Sequence, residues 1–182
     1  MMPELRSARL VIRPIGAADI PAFVSYRREP AVARYQSWGV DYSEADAAAL
    51  VAGQAATDWP GPGEWVQLGL HLAETPDVLV GDVAVGADAE QPDTFELGVT
   101  LAPAHHGRGY AREAIEVVLA QLMEEGAHRV VMQGDVRNTA VLALMRRLEL
   151  RHEGTILEGD WFKGEWTTLE RFALLDREWH AR

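Results

Sequence analysis

Apolar residues recur at different spacings along this chain, and each change of spacing predicts a change of element. Ala8 to Pro14 (Ala-Arg-Leu-Val-Ile-Arg-Pro) reads as a first strand. Ala17 to Glu29 places Ile20, Phe23 and Val24 on one helical face, and Pro30 to Tyr35 reads as a second, short helix. Ser43, with Asp46 three residues on, predicts a capped helix start, and the Ala-rich segment Ala47 to Thr57 the helix body. Pro60-Gly61-Pro62-Gly63 ends it in a loop.

Three consecutive strands follow. Trp65 to Ala73 alternates through Val66, Leu68, Leu70 and Leu72, Val78 to Val85 is valine-rich, and Thr94 to Leu101 alternates Phe95, Leu97, Val99 and Leu101 against Glu96, Gly98 and Thr100. After Pro103 the period lengthens. Ala111, Ala114, Ile115, Val118 and Leu122 form a helical stripe, with Gly126 where a C-terminal cap belongs. Arg129 to Gln133 reads as a strand, and Asn138 to Leu148 as a helix with Val141, Leu144, Met145 and Leu148 inward. Arg151 to Leu157 and Trp166 to Leu175 read as closing strands. This order predicts one α/β or α+β domain over residues 1–182, with a mixed sheet rather than a doubly wound one.

Composition narrows the chemistry. The chain has no cysteine, which excludes disulfides, thiolate nucleophiles and Cys-ligated zinc together. No apolar run reaches the roughly 20 residues of a bilayer span, and the N-terminus lacks a signal-peptide core; a cytoplasmic protein is expected. A formal net charge of −11 argues against nucleic acid or an anionic membrane as the partner. That charge is unevenly spread. No Lys or Arg lies between Tyr35 and Gly107, a stretch with twelve acids, whereas seven arginines fall between Arg108 and Arg151. One half suits a cation and the other an anion, or the acids simply solubilise the surface.

The segment richest in chemistry is Phe95-Glu-Leu-Gly-Val-Thr-Leu-Ala-Pro-Ala-His-His-Gly-Arg-Gly-Tyr-Ala111. A strand enters a glycine-containing turn that opens into an amphipathic helix. The free N–H groups and partial positive charge of a helix N-terminus stabilise a phosphate. Gly107 and Gly109 allow close backbone approach, and Arg108 and Arg112 add charge. A simple capping turn has the same glycine spacing. A P-loop does not fit, because the one lysine is Lys163, nor does a dinucleotide fingerprint, because Arg112 stands where a third glycine belongs. The six histidines show no zinc-ligand spacing, so no metal is expected, and no Gly-x-Ser-x-Gly elbow occurs.

With these residues in view the chain resembles the GNAT superfamily of acyl-CoA-dependent N-acetyltransferases, and within it the branch that acetylates ribosomal-protein N-termini. Arg9-Leu-Val-Ile-Arg-Pro14 is similar to that branch's opening strand, and Pro30-Ala-Val-Ala-Arg-Tyr-Gln-Ser-Trp38 to its following helix. Gly107-Arg-Gly-Tyr-Ala-Arg-Glu-Ala114 is similar to its cofactor turn, Asn138 to the start of its second cofactor element, and Phe172-Ala-Leu-Leu-Asp-Arg-Glu-Trp179 to its last strand and tail. The resemblance implies a mostly antiparallel mixed sheet flanked by helices, and acetyl transfer from acetyl-CoA to a primary amine. It also implies that Val99 and Leu101 pair through their backbones with the pantetheine arm. His106, Gly107, Arg108, Gly109, Tyr110 and Ala111 would wrap the pyrophosphate, and Asn138 would bond the pantetheine or phosphate region, cap its helix, or both. Glu96 is the expected base, or else a solvent-facing strand residue. Tyr35 and Trp38 would line the acceptor site or cover the core.

Five positions depart from the family pattern. The turn opens on His106 rather than Gln or Arg, Met145 and Val141 replace a tyrosine and a serine, and Glu149-Leu150 replaces Gly-Phe. No tyrosine follows Tyr110 and no serine follows Ser43, so thiolate departure would rely on water, on Tyr35, or on no acid. A CoA-binding module without catalysis is the alternative these absences leave open, and a nucleotide-binding protein is a third reading. Freeing a lysine amine of its proton at pH 7 costs roughly 4.6 kcal/mol against about 1.4 for an α-amine, which favours an α-amine or other small amine acceptor. Trp161, Phe162 and Trp166, in a late hairpin, read as packing residues or else as a lid over the acceptor. Oligomeric state is left open, a homodimer included.

Overall fold

The computed structural model describes residues 4–54 and 59–182. Eight strands make one sheet: β1 (Leu5–Arg6), β2 (Leu10–Pro14), β3 (Trp65–Leu72), β4 (Thr75–Ala87), β5 (Thr94–Leu101), β6 (Arg129–Asp135), β7 (Arg151–Phe162) and β8 (Glu165–Leu175). Their spatial order is β1-β2-β3-β4-β5-β6-β8-β7, antiparallel throughout except for β5 against β6. The expected mixed, mostly antiparallel sheet is what forms.

Two helices, α4 (Tyr110–Glu124) and α5 (Thr139–Arg147), cover one face. Their stripes meet the inward side chains of the strands: Ile115, Val118, Leu119, Leu122 and Met145 pack with Leu10, Ile12, Leu68, Leu70, Val83 and Val85. Each such side chain contributes about 1.5–3 kcal/mol when fully buried. Gly126 ends α4 at φ +94°, the left-handed turn that its position predicted. On α5 the buried set is Leu142, Leu144, Met145 and Leu148, with Val141 only half-buried.

The other face of β2–β5 carries α1 (Ile20–Arg27), α2 (Pro30–Ala33) and α3 (Glu44–Gln54). Here the apolar cluster of Ile15, Phe23, Val24, Tyr26, Val32, Ala47 and Leu79 is small, and charge is buried beside it. Asp82 accepts from the Tyr26 hydroxyl, from Arg27 Nη2 at 3.3 Å and from Gln67 Nε2 at 3.0 Å. Its complete burial raises its pKa against the pull of Arg27. The Arg27 guanidinium lies 3.6 Å from the Trp38 ring centroid and 3.9 Å from that of Phe23. Asp19 accepts from Arg13 Nη1 and bonds His71 Nε2, each at 2.9 Å, and takes the Gly16 amide as well. Burial opposes its charge, but those bonds outweigh burial and hold its pKa well below the usual carboxylate range.

The segment expected as a helix from Ala17 begins as a 3-10 turn (Ala17–Asp19), because Asp19 turns inward to these partners before α1 starts. Ser43 and Asp46 cap α3 reciprocally, Asp46 N to Ser43 Oγ at 3.1 Å and Ser43 N to Asp46 Oδ2 at 2.8 Å. The expected end of α3, residues 55–57, lies outside the described residues. β7 and β8 run longer than their apolar alternation predicted, since Lys163 (φ +49°) and Gly164 (φ +86°) form a two-residue turn that lets the pair extend to its tip. Trp161 and Trp166 are not core residues there. They pair edge-to-face at 5.3 Å and are each 59% exposed, because the hairpin projects past its neighbours. Among the described residues no helix is long and apolar enough to cross a membrane.

Candidate active site

The site begins where the sheet opens. β5 and β6 pair over three residues only, Thr94 with Arg129, Phe95 with Val130 and Glu96 with Val131. Beyond Glu96, β5 pairs only with β4, and beyond Val131, β6 pairs only with β8. Each strand therefore turns an unpaired backbone edge toward a wedge between them, able to accept an extended amide-bearing chain. Val99 and Leu101 lie on the β5 side of this wedge, their side chains packed toward the α4 face.

The wedge leads to the glycine turn. After β5 a 3-10 turn (Pro103–His105) brings His106 Nε2 to 2.9 Å from the Leu101 carbonyl, so this histidine braces the turn with its ring. Gly107 (φ +73°) and Gly109 (φ +82°) adopt the left-handed region that side chains resist, and nothing lies within 4 Å of a Cβ placed on Gly107. Gly109 is the N-cap of α4 and has no side chain to cap it; the first bond into the helix runs from Glu113 N to Gly109 O at 3.1 Å. The N–H groups of Tyr110, Ala111 and Arg112 are thus outside the helical ladder. Residues 106–109 are exposed, so the donors open onto solvent rather than onto protein. This cradle fits a pyrophosphate, and the wedge beside it fits the pantetheine arm of a coenzyme A thioester.

Sequence reasoning missed what holds the turn in place. Arg9 reaches over from the start of β2, donating Nε to Glu113 Oε2 at 2.7 Å and Nη1 to the Arg108 carbonyl at 2.9 Å. It also lies 4.8 Å from the Tyr110 ring centroid. Ser7 donates to Glu113 Oε1 at 2.6 Å. Burial works against the Glu113 carboxylate, but the Ser7 and Arg9 bonds outweigh it and keep its pKa below the ordinary range. An acid in the first turn of α4 was the one available signal; its partners, over 100 residues away, were not.

On the opposite wall, Asn138 caps α5, its Oδ1 accepting from Val141 N at 3.3 Å. Val141 and Met145 both approach Gly134 of β6, 2.7 and 3.5 Å from where a Cβ would stand. The helix face turned to the diverging strand therefore offers a methyl and a thioether, neither of which can give up a proton.

Glu96 stands at the closed end of the wedge, on the face away from α4. Gln133 Nε2 donates to its Oε1 at 3.1 Å. Burial raises its pKa despite that bond and the nearby Arg171. It shares a cleft with Trp65, Asp88, Phe95, Val131 and Arg171. A half-buried carboxylate of raised pKa beside a wedge of unpaired backbone has the attributes of a general base.

Tyr35 and Trp38 sit on the same side but do different things. The Tyr35 hydroxyl donates to the Arg137 carbonyl at 3.3 Å, reaching the residue before Asn138. Trp38 covers Arg27 and donates Nε1 to its carbonyl at 3.2 Å, so most of its ring serves packing.

Comparison with known proteins identifies the family. Residues 9–151 match the model of the acetyltransferase (GNAT) domain. This chain belongs to the GNAT acetyltransferase family. A GNAT relative, the uncharacterized N-acetyltransferase YnaD of Bacillus subtilis, is 26% identical over 181 residues, covering 97% of this chain and 99% of its own. The spermidine N-acetyltransferase of Vibrio cholerae, solved with CoA and spermine, shares the fold at a TM-score of 0.81 and 17% identity, over 96% of this chain and 99% of that one. An acetyl transferase of Salmonella typhimurium that modifies the N-terminal serine of a 50S ribosomal subunit protein shares it at 0.77 and 16%, over 93% and 96%. The chain is an acetyl-CoA-dependent N-acetyltransferase.

Proposed function

We propose that the acceptor is a primary amine with a low barrier to deprotonation, either a protein N-terminal α-amine or a small cationic amine, and that the reaction takes place in the cytoplasm. The observation that carries this reading is the parting of β5 and β6 directly beside an uncapped helix N-terminus. In it, the backbones of Val99 and Leu101 pair with the pantetheine arm, as a strand would. The amides from His106 to Ala111, with the Arg108 side chain, take the pyrophosphate. Asn138 bonds the same ligand while capping α5.

Glu96 takes the amine proton, directly or through water, and a backbone N–H near Val99 stabilises the oxyanion. Asp88 beside Glu96 favours a cationic acceptor in that cleft. Fold neighbours that act on spermidine and on a ribosomal protein N-terminus are consistent with either acceptor class. Tyr35 and the exposed edge of Trp38 border the acceptor's path. Neither nucleic acid nor membrane enters this reading. Self-association through the exposed ridge of Ile156, Leu157, Trp161 and Trp166 would give a homodimer, which sedimentation at two concentrations tests.

The deciding experiment is thiol release from acetyl-CoA across a panel of N-terminal peptides, polyamines and free amino compounds. Turnover on at least one class is expected. Tight CoA binding with no turnover on any amine would instead support a non-catalytic CoA-binding module, the reading favoured by the aprotic Val141 and Met145 face.

A further inference from the structure

We infer that the acceptor is a free α-amino acid with an apolar side chain, its carboxylate held by Arg171, its amine by Glu96 and its side chain by Trp65. The inference rests on the acetyl-transfer reading above and narrows its acceptor. These three residues line one cleft with Gly86, Asp88 and Val131. Its volume of about 250 Å³ suits a molecule of amino-acid size. Glu96 and Val131 form the last pair before β5 and β6 part. A donor whose pyrophosphate lies at the turn after Leu101 runs its arm back past Val99, so its acyl end stops at that same level. Cleft and thioester therefore meet at the closed end of the wedge.

Arg171 is the residue that calls for a carboxylate. It stands in register beside Gln133, the residue that bonds Glu96. Among the described residues its side chain makes no hydrogen bond or ion pair, and its Nε is buried without a partner. Counter-ions are not scarce, since the chain has 28 acids against 17 lysines and arginines. Neighbouring arginines have found theirs: Arg129 and Arg151 pair with Glu153, and Arg137 with Asp135 and Glu165. Glu96 and Asp88 share the cleft with Arg171, yet neither closes to ion-pair distance. A buried donor left unpaired costs about 1–3 kcal/mol, and an arriving carboxylate, which the guanidinium fork matches, removes that cost.

The rest of a zwitterion fits as well. Glu96 and Asp88 attract its ammonium, whereas a polyamine would bring a second cation toward an arginine that has no counter-ion. A carboxylate beside an ammonium holds the proton on it; pairing that carboxylate with Arg171 weakens the hold and eases transfer to Glu96. Gly86 pairs with Trp65 on one side and Glu96 on the other. The indole lies against this glycine, its Cε2 and Cδ2 2.4 and 2.6 Å from where a Cβ would stand. Trp65 nonetheless stays 52% exposed, an open aromatic surface next to the base. In the transfer the amine nitrogen bonds the thioester carbonyl carbon and its proton passes to Glu96. The C–S bond breaks with its electron pair on sulphur, and water protonates the thiolate.

The test follows thiol release by the full-length protein with L-phenylalanine, L-phenylalaninamide and glycine as acceptors. Wild-type kcat/KM is expected to be about 100-fold higher for the acid than for the amide, although the amide's amine gives up its proton more readily. Arg171→Gln should bring that ratio to within about threefold of one, and Arg171→Lys should keep part of it. Trp65→Ala should raise KM about tenfold for L-phenylalanine and less than about twofold for glycine. Equal wild-type turnover of acid and amide, or turnover of polyamines or N-terminal peptides alone, overturns the inference and leaves the acetyl-transfer reading intact. So does an Arg171→Gln loss shared equally by acid and amide, which would make the arginine a positioning group for Glu96. A wild-type protein that binds CoA but turns over no amine defeats both.

Discussion

The two faces of the sheet are built on different principles. The face under α4 and α5 is apolar almost throughout, and the elements expected to hold the donor contribute mainly backbone: an unpaired strand edge, two left-handed glycines and the first amides of a helix. The face under α1–α3 buries Asp19, Arg27, His71 and Asp82 in paired networks, and the groups bordering the acceptor are side chains. Backbone recognition tolerates substitution wherever φ and space allow; side-chain recognition does not. One face can therefore be shared across many acceptors while the other is rebuilt for each.

The sharpest way to break this contrast is to unbalance the buried charge. Arg27→Met strands Asp82 without its cation and should cost about 3–5 kcal/mol in urea unfolding, with Asp82→Asn added to it restoring part of the loss. A variant that unfolds like wild type would mean the pair is not structural. On the other face, Gly109→Asp places a side chain at φ +82°, 3.3 Å from Arg9, and a negative charge among the phosphate donors. Loss of two charge-assisted bonds predicts CoA affinity about 1000-fold weaker by calorimetry, with the fold retained by circular dichroism. Unchanged affinity would remove the cradle from the site.

Glu96→Gln tests the junction of the two faces. A fall in kcat of about 100-fold is expected at pH 7, shrinking toward pH 9.5 as the acceptor loses its proton unaided. An equal loss at both pH values would rule out the base.

The smallest effect concerns acid. The pKa of Asp19 is depressed in the fold, so its contribution to stability is present above the unfolded carboxylate range near 3.9 and is lost as pH falls toward its folded value. Asp19→Asn should thus cost about 1–2 kcal/mol more at pH 6 than at pH 3, whereas Leu119→Ala, on the apolar face, should cost about the same at both. Parallel pH dependence of the two variants would erase the distinction between the faces.

That distinction also explains what could be read in advance. The strand, turn and helix from Thr94 to Glu124 are contiguous, their periods are clean, and glycine marks where φ turns positive, so the donor half was legible. The acceptor half depends on meetings such as Lys163 with Ala33 and Tyr35 with Arg137, separated by 130 and 102 residues, which leave no local trace. The parting of β5 from β6 is likewise invisible, because a strand keeps the same alternation whether its neighbour stays or leaves. Trp161 and Trp166 misled for a related reason: an aromatic in a hairpin looks the same whether or not anything lies opposite it.

The three-pair contact between β5 and β6 has one more consequence. Five strands, β1–β5, lie on one side of it and three, β6, β8 and β7, on the other, and apart from the two-residue β1–β2 pairing at the edge it is the narrowest seam in the sheet. A molecule seated there acts as a missing rung between the halves, so by mass action the loaded protein should outlast the empty one, by about 2.7 kcal/mol at a hundredfold excess over Kd. Donor supply would then govern how long the enzyme survives as well as how fast it works.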